Sequence, residues 1–110
     1  MSARPSDKRP GQDGSPPPDV LQLRLYVAGR SPNSVRALTN LRTMCGEWLA
    51  DDDWQLEVVD VFQDPMRAVE DKILVTPTLL KLTPPVVQIV GDLSQRETVL
   101  AALDLARSEK

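Results

Sequence analysis

Few residues of this 110-residue chain are of types that carry out catalysis or redox chemistry. It has no histidine, which removes a Ser-His-Asp triad, a Cys-His pair, a histidine-bearing zinc site and the usual general base near neutral pH. With a single cysteine, Cys45, an internal disulfide and a two-cysteine redox centre are excluded. The spacing around Cys45 places it on a helix face as a small apolar residue. These absences argue against an enzyme.

The run Asp51-Asp52-Asp53 is the stretch that comes nearest to a cation site. No further ligand types stand nearby, so we expect a solvated turn, and we expect no metal and no cofactor. The formal net charge is −3 and neither sign forms a long block, which argues against a nucleic-acid partner. No segment has the apolar length of a signal peptide or a membrane span, so we expect a cytoplasmic protein without a membrane partner.

The chain divides into a tail and one small domain. Residues 1–19 are rich in proline, glycine, serine and charge and are predicted to be a disordered tail, followed by a domain over 20–107 and a short tail at 108–110. Because the first tail lacks apolar residues that could join a core, removing residues 1–18 is expected to leave folding intact.

The first half of the domain has the pattern of a strand-helix-strand unit. Residues 20–28 alternate with the strand period, and 54–61 form a second strand with Trp54, Leu56 and Val58 on one face. Between them, apolar residues recur at helical spacing. The predicted inner face of this helix comprises Val35, Leu38, Leu41, Cys45, Trp48 and Leu49. The connection is long enough for a crossover, so the two strands should be parallel.

The second half is more ambiguous. Asp64 and Pro65 predict a short helix to about Asp71, and Ser94 with Glu97 fits a capping box before a terminal helix. The apolar stretch 73–92 between them carries Pro77, Pro84 and Pro85, although proline cannot donate to a sheet. Thr76-Pro77 fits either the start of a strand or the first turn of a helix.

The order of elements resembles a thioredoxin-like domain, βαβαββα with a mixed four-stranded sheet. In that family a Cys-x-x-Cys motif opens the first helix, and here the matching residues are Ser31-Pro32-Asn33-Ser34. Thr76-Pro77-Thr78 is similar to the cis-proline loop of the same family. A thioredoxin-like oxidoreductase is the third-ranked function, since both thiols are absent.

A more specific resemblance is carried by several ordered motifs. They are LYVAG at 25–29, SPNSVRAL at 31–38, EDKIL at 70–74, TPTL at 76–79, PPV at 84–86 and GDLSQRE at 91–97. Together they resemble KaiB, a bacterial clock family, over roughly residues 21–105. The runner-up is the KaiB-like sensor domain of SasA-type histidine kinases; because the chain stops after the domain, a free-standing protein is favoured.

The KaiB resemblance implies a binding protein without catalysis. It implies a KaiC-type ATPase ring as the partner, whose phosphorylation state and output the protein modulates, with a histidine kinase as a further candidate partner and self-association as a dimer or tetramer. The partner-binding residues it suggests are Arg36, Asp71 and Lys72. It also implies a metamorphic fold whose second half is rebuilt in an alternative ground state. The residues implied in that change are Pro77, Pro84, Pro85, Gly91 and Asp92.

Departures from the KaiB pattern refine these expectations. Two prolines stand where three are usual, and Val87 and Gln88 replace basic residues. An acidic C-terminal extension is missing, and the N-terminal tail is longer. These differences weaken the expectation of KaiA binding and of a true circadian role.

The balance between the two folds is predicted from helix propensity. Ala101-Ala102 stands where the compared KaiB pattern has Ile-Gly, and alanine favours a helix by on the order of 1–1.5 kcal/mol over this pair. We therefore expect the free protein to populate the thioredoxin-like fold more than a typical KaiB does, with strands at 79–82 and 86–90 and a helix at 95–106.

Overall fold

Four strands and three α-helices make up the region that the structure, a computed structural model, describes, residues 20–105. They are β1 (Leu21–Val27), α1 (Pro32–Trp48), β2 (Trp54–Asp60), α2 (Pro65–Glu70), β3 (Thr78–Lys81), β4 (Val87–Val90) and α3 (Arg96–Ala102). The βαβαββα order confirms the thioredoxin-like prediction. The predicted tails at 1–19 and 108–110 lie outside the described residues.

The strands form one mixed sheet in the order β2-β1-β3-β4. β1 and β2 are parallel, with Leu21 opposite Trp54 and Val27 opposite Asp60, as a helical crossover requires. β3 is antiparallel to both β1 and β4. The sheet therefore joins the βαβ unit of the first half to a hairpin of the second half, leaving β2 and β4 at its edges.

Helices cover both faces of the sheet. On one face α1 and α3 pack on the inward residues of β1, and the fully buried side chains there include Leu25, Leu41 and Leu79. On the other face a smaller cluster gathers under α2 around Tyr26, Val59 and Leu80. Strand β1 is buried on both faces near its end, because Leu25 and Tyr26 point to opposite clusters.

Helix α1 turns a different face to the core than its spacing predicted. Leu41 and Cys45 are buried as expected, but Val35 and Trp48 are about half exposed. The buried residues are Ser34, Ala37, Leu41, Met44 and Cys45. This row also repeats at three and four residues, and Ser34 fits inside because its hydroxyl accepts the N–H of Ala28 at 3.1 Å.

The three prolines of the apolar stretch stay out of the sheet ladder. Pro77 follows a cis peptide bond immediately before β3, and Pro84-Pro85, also cis, lies in the β3–β4 connection. The strand interpretation of Thr76-Pro77 is thus the correct one. The prolines therefore lie outside the strands, where their missing N–H groups cost the sheet no hydrogen bond.

The capping box predicted at Ser94 and Glu97 is wrong. α3 begins at Arg96, one residue later than the box requires, and its N-cap residue Gln95 makes no side-chain capping bond. Ser94 instead belongs to the preceding turn, where its N–H donates to Asp92 Oδ1 at 3.0 Å. α3 also ends at Ala102, short of the predicted 106.

Helices α2 and α3 end in the same way. After α2, Lys72 adopts φ 60° and Ile73 donates to Ala68 O at 2.8 Å. After α3, Asp104 adopts φ 63° and Leu105 donates to Leu100 O, also at 2.8 Å. Both are Schellman endings with a left-handed residue other than glycine. The α2 bounds match the prediction, although Asp64 stands at the N-cap without a side-chain hydrogen bond.

Candidate partner-binding surface

Exposed apolar side chains border one end of α2. Leu74 is 91% exposed, Phe62 75% and Val75 50%. The three line an open groove of about 330 Å³ whose floor is formed by half-buried apolar residues such as Ile73 and Ala68. We name Phe62, Leu74 and Val75 the α2 apolar surface. Apolar groups displayed together in this way typically mark an interaction site.

The backbone on both sides of this surface is anchored. Asp60 Oδ1, at the end of β2, accepts the N–H groups of Gly29 at 3.1 Å and Phe62 at 2.9 Å. Gly29 adopts φ +56°, and the Phe62 ring lies 3.5 Å from where a Cβ on Gly29 would stand, an ordinary contact distance. Val75 O accepts the hydroxyl of Thr78 at 2.7 Å, just before β3. The backbone that carries these apolar side chains is therefore hydrogen-bonded on both sides of the surface.

A charged network under α2 ties that backbone to the sheet. Arg24 on β1 donates to Glu57 Oε1 on β2 and to Asp71 Oδ2, each at 2.9 Å. Arg67 on α2 binds both oxygens of Glu57, at 2.5 and 2.7 Å. The hydroxyl of Tyr26 donates to Asp71. We name these five residues the α2 clamp.

The clamp fixes the charge states of its members. The guanidinium of Arg67, helped by that of Arg24, lowers the pKa of Glu57 to about 2. The hydrogen bond from Tyr26, followed by the charge of Arg24, lowers the pKa of Asp71. Burial, and then the neighbouring Asp71 carboxylate, raise the pKa of Tyr26 to about 12. Both carboxylates thus stay ionised and paired at neutral pH.

Asp71 and Lys72 are neighbours in the fold, with different surroundings. The carboxylate of Asp71 is engaged within the clamp, whereas Lys72 is exposed on the left-handed residue that ends α2. Of the two, Lys72 is the residue whose charge is presented to solvent beside the α2 apolar surface.

Arg36 belongs to a second group, on the opposite side of the sheet with α1 and α3. Its Nε lies 3.3 Å from Asp92 Oδ2, and Asn40 donates to the Asp92 carbonyl at 2.9 Å. Hydrogen bonds from the side chain and the N–H of Ser94, with the charge of Arg36, lower the pKa of Asp92. The structure therefore joins Arg36 to Asp92, next to Gly91 at φ 117°, and leaves it apart from Asp71 and Lys72.

The three prolines suggested for the fold change lie in two different surroundings. Pro77 is buried immediately before β3, while Pro84 and Pro85 are exposed in the loop between β3 and β4. The carbonyl of Pro85 accepts the ammonium group of Lys81 at 3.1 Å, which fastens this loop to the sheet.

Comparison with known proteins identifies the family. The KaiB domain model matches residues 24–105. The chain belongs to the KaiB family. It is 56% identical over 88 residues to the circadian clock oscillator protein KaiB of Gloeothece citriformis, covering 79% of this chain and 82% of that protein. The corresponding protein of Trichodesmium erythraeum is 52% identical over 96 residues, covering 86% and 91%.

Solved structures place this KaiB-family chain among thioredoxin-like folds. The N-terminal domain of Synechococcus elongatus SasA matches with a TM-score of 0.66 and 22% identity, covering 87% of this chain and 94% of that one. Chloroplastic thioredoxin z matches with a TM-score of 0.63 and 16% identity, covering 78% and 80%. These likenesses establish the fold alone.

Ser31 and Ser34, which the thioredoxin resemblance sets at the positions of the two thiols, lie at the start of α1 in this KaiB-family chain. Ser31 caps α1, and its hydroxyl donates to that of Ser34 at 2.8 Å. Cys45 is fully buried in α1, and burial raises the pKa of its thiol to about 11. Within residues 20–105 no cluster of three or more His, Cys, Asp or Glu is placed to hold a metal ion, and no helix is long and apolar enough to cross a membrane.

Sequence reasoning missed the α2 apolar surface and most of the α2 clamp. One signal was available for the clamp: in a parallel βαβ unit, Arg24 and Glu57 stand directly opposite in register. Phe62 and Leu74 gave no such signal, because single exposed apolar residues are common on protein surfaces.

Proposed function

We propose that this chain is a non-enzymatic clock or regulatory protein that binds a KaiC-type ATPase ring and modulates its phosphorylation state and output. The observation that carries the proposal is the α2 apolar surface, displayed on an anchored backbone in a member of the KaiB family. The family relatives are named as circadian clock oscillator proteins. We place the protein in the cytoplasm and expect KaiA to be a poorer partner.

The surface has the composition of an interface centre. Leu74 is 91% exposed and Phe62 75%, so both side chains have apolar area to bury against a partner. Lys72 at its border supplies a charge at the rim, while the clamp keeps the supporting backbone in place before contact. Such preorganisation reduces the ordering cost of association.

Binding is tested by co-elution with a purified KaiC-type ring from the same cell, loaded with ATP. Leu74→Asp should weaken binding at least tenfold, since a charge is buried without a partner. Trp48→Asp is the control, because Trp48 is 46% exposed at the end of α1, outside the α2 apolar surface and outside the half proposed to change fold. Circular dichroism verifies that both variants fold. Absence of binding by the unaltered protein, or equal losses for both variants, would contradict the proposal.

A SasA-type sensor role is the second candidate. It is favoured by the likeness to the SasA N-terminal domain, although the identity of 22% establishes only the shared fold. A protein acting as a competitor of such a sensor should displace a SasA-type kinase from the ring. If the chain instead binds stably to the kinase portion, without the ring, the sensor role is correct.

We also propose that the chain lacks catalysis of its own. Ser31 and Ser34 cannot form or reduce a disulfide, and the Cys45 thiol is buried. A dithiol-dependent insulin reduction assay should show no activity above that of the reductant. Turnover that depends on Cys45 would overturn this part of the proposal.

The second half, from β3 to α3, is proposed to change fold, with Pro77, Pro84, Pro85, Gly91 and Asp92 at its boundaries. In support, Pro77 stands at the start of β3, Pro84 and Pro85 lie between β3 and β4, and Gly91 and Asp92 follow β4. Two packings a few kcal/mol apart are sufficient for such a change.

A further inference from the structure

Tyr26 is fully buried and reaches the end of α2 from the sheet. Its ring lies near the end of β1, on the face under α2, in one cluster with Val59 and Leu80. Its hydroxyl stands at the last turn of α2, where it donates to Asp71 and lies 3.0 Å from the carbonyl oxygen of Arg67. Tyr26 is therefore the member of the α2 clamp that joins the buried interior to the end of the helix.

The end of α2 sets the direction of the chain that carries the α2 apolar surface. Asp71 is the C-cap residue of α2, and its N–H donates to the same Arg67 carbonyl at 3.0 Å. Two residues later the N–H of Ile73 donates back to a carbonyl of α2 at 2.8 Å, and Leu74 follows at once. The carboxylate that the Tyr26 hydroxyl holds is thus in the same short turn as the most exposed residue of the surface.

We propose that Tyr26 is a positioning residue of the α2 apolar surface, whose hydroxyl, acting through Asp71, holds Leu74 in the orientation that binds the ATPase ring. This inference rests on the proposed function. The Tyr26 side chain is 0% exposed, so it touches no partner. An effect of its hydroxyl on ring affinity at unchanged folding therefore passes through the residues that it holds.

The hydroxyl suits this role better than the ionic contacts of the clamp. The side chains of Arg24, Arg67 and Glu57 are 23%, 31% and 46% exposed, so water and salt weaken their attraction. The Tyr26 hydroxyl instead stands on a ring held by packing, which fixes its place before a partner arrives. Without it Asp71 retains the ion pair with Arg24, and ordering the end of α2 becomes part of the cost of binding.

The test is Tyr26→Phe in the full chain, which removes the hydroxyl and keeps the ring. Binding to the ATP-loaded KaiC-type ring should weaken about threefold to tenfold, because the end of α2 is then ordered only on contact. Cys45→Ala is the control, since Cys45 is equally buried but lies in α1 on the other face of the sheet. It should lower stability through the cavity that it leaves, without changing ring affinity. Denaturant unfolding measures the stability of both variants.

Combining Tyr26→Phe with Leu74→Ala separates positioning from general destabilisation. Leu74 is 91% exposed, so its truncation leaves the fold intact. In the alanine background Tyr26→Phe should weaken ring binding by less than about twofold, because the side chain that it positions is gone. Losses that simply multiply in the double variant would overturn the proposal, and so would equal losses for Tyr26→Phe and Cys45→Ala.

Amide hydrogen exchange tests the same positioning in the free protein. Ile73 should exchange about fivefold faster in Tyr26→Phe, whereas Leu49, whose N–H donates to Cys45 O at 2.9 Å at the end of α1, should keep its rate. Unchanged exchange at Ile73, or unaltered ring binding by Tyr26→Phe, would overturn this inference alone. A ring that the unaltered protein does not bind would overturn the proposed function, and this inference with it.

Discussion

At the scale of single residues, Asp71 and Lys72 illustrate how adjacent charges acquire different tasks. The Asp71 carboxylate is engaged by Tyr26 and Arg24, so it contributes to the position of the α2 end. Lys72 is exposed and contributes charge at the border of the α2 apolar surface. The EDKIL motif marked both residues, but only the fold separates the structural one from the accessible one.

The ionisation of Glu57 should make the free energy of unfolding depend on pH in the acid range. Its folded pKa of about 2 lies below its ordinary value of 4.5, so between these values the unfolded chain binds more protons than the folded one. Its contribution is therefore complete above about pH 4.5 and is lost as the pH falls toward 2. In denaturant unfolding from pH 6 to 2, the difference in free energy of unfolding between the unaltered protein and Glu57→Gln should decrease as the pH falls.

Glu70→Gln is the control for this measurement. Glu70 is an exposed carboxylate of α2 outside the clamp, so the same change should have little effect at any pH. A difference between the unaltered protein and Glu57→Gln that stays constant down to pH 2 would show that the clamp does not stabilise the ionised form.

At the scale of elements, the Schellman ending of α2 carries a conformational cost. Lys72 adopts φ 60°, a region that glycine enters without the steric cost that other residues bear. Lys72→Gly should therefore raise the free energy of unfolding by roughly 0.5–1 kcal/mol. Under the proposed function it should at the same time weaken ring binding, because the charge is lost.

Lys72→Ala separates these two effects. It removes the charge but keeps a Cβ in the left-handed region, so it should weaken ring binding without raising stability. Thermal unfolding and co-elution on the same samples measure both quantities. A stability gain for the alanine variant equal to that for glycine would rule out the backbone explanation.

Helix α1 offers a second element-scale test. Gly46 lies near its C-terminal end, is exposed, and has open space where a Cβ would stand. Gly46→Ala should raise the free energy of unfolding by up to about 1 kcal/mol, since alanine is the better helix former. A decrease in stability in denaturant unfolding would contradict this reasoning.

The elements also show how far sequence patterns lead. The alternation in β1 and the helical spacing in α1 predicted both elements. The spacing did not determine whether Val35 or its neighbour Ser34 lies on the inward face of α1. Ser34 is buried in place of Val35 because its hydroxyl forms hydrogen bonds inside the protein. A pattern of hydrophobic residues gives no information about such hydrogen bonds. In the same way, Ser94 satisfied the capping-box pattern, yet its N–H pairs with Asp92.

At the scale of the whole molecule, the arrangement described is the thioredoxin-like one, with α3 helical at Arg96–Ala102. Ala102→Gly should destabilise this helix by about 1 kcal/mol and, under the proposed fold change, raise the population of the alternative fold about fivefold. NMR chemical shifts of residues 96–102 measure that population. Signals that remain wholly helical would show that packing outweighs helix propensity.

Gly46→Ala is the control for the fold balance. α1 lies in the half that the KaiB resemblance makes common to both folds, so this substitution should change overall stability without changing their ratio. A shift in the ratio caused by Gly46→Ala would indicate that the first half also differs between the two folds.

Cys45 gives the molecule a built-in reporter. It is the single thiol of the chain, fully buried within α1, and burial raises its pKa to about 11. A thiol-trapping reagent can reach it only when α1 leaves the sheet, so the labelling rate measures how often the first half opens. Because α1 is common to both proposed folds, labelling would distinguish exchange by local rearrangement, which leaves Cys45 protected, from exchange through global unfolding.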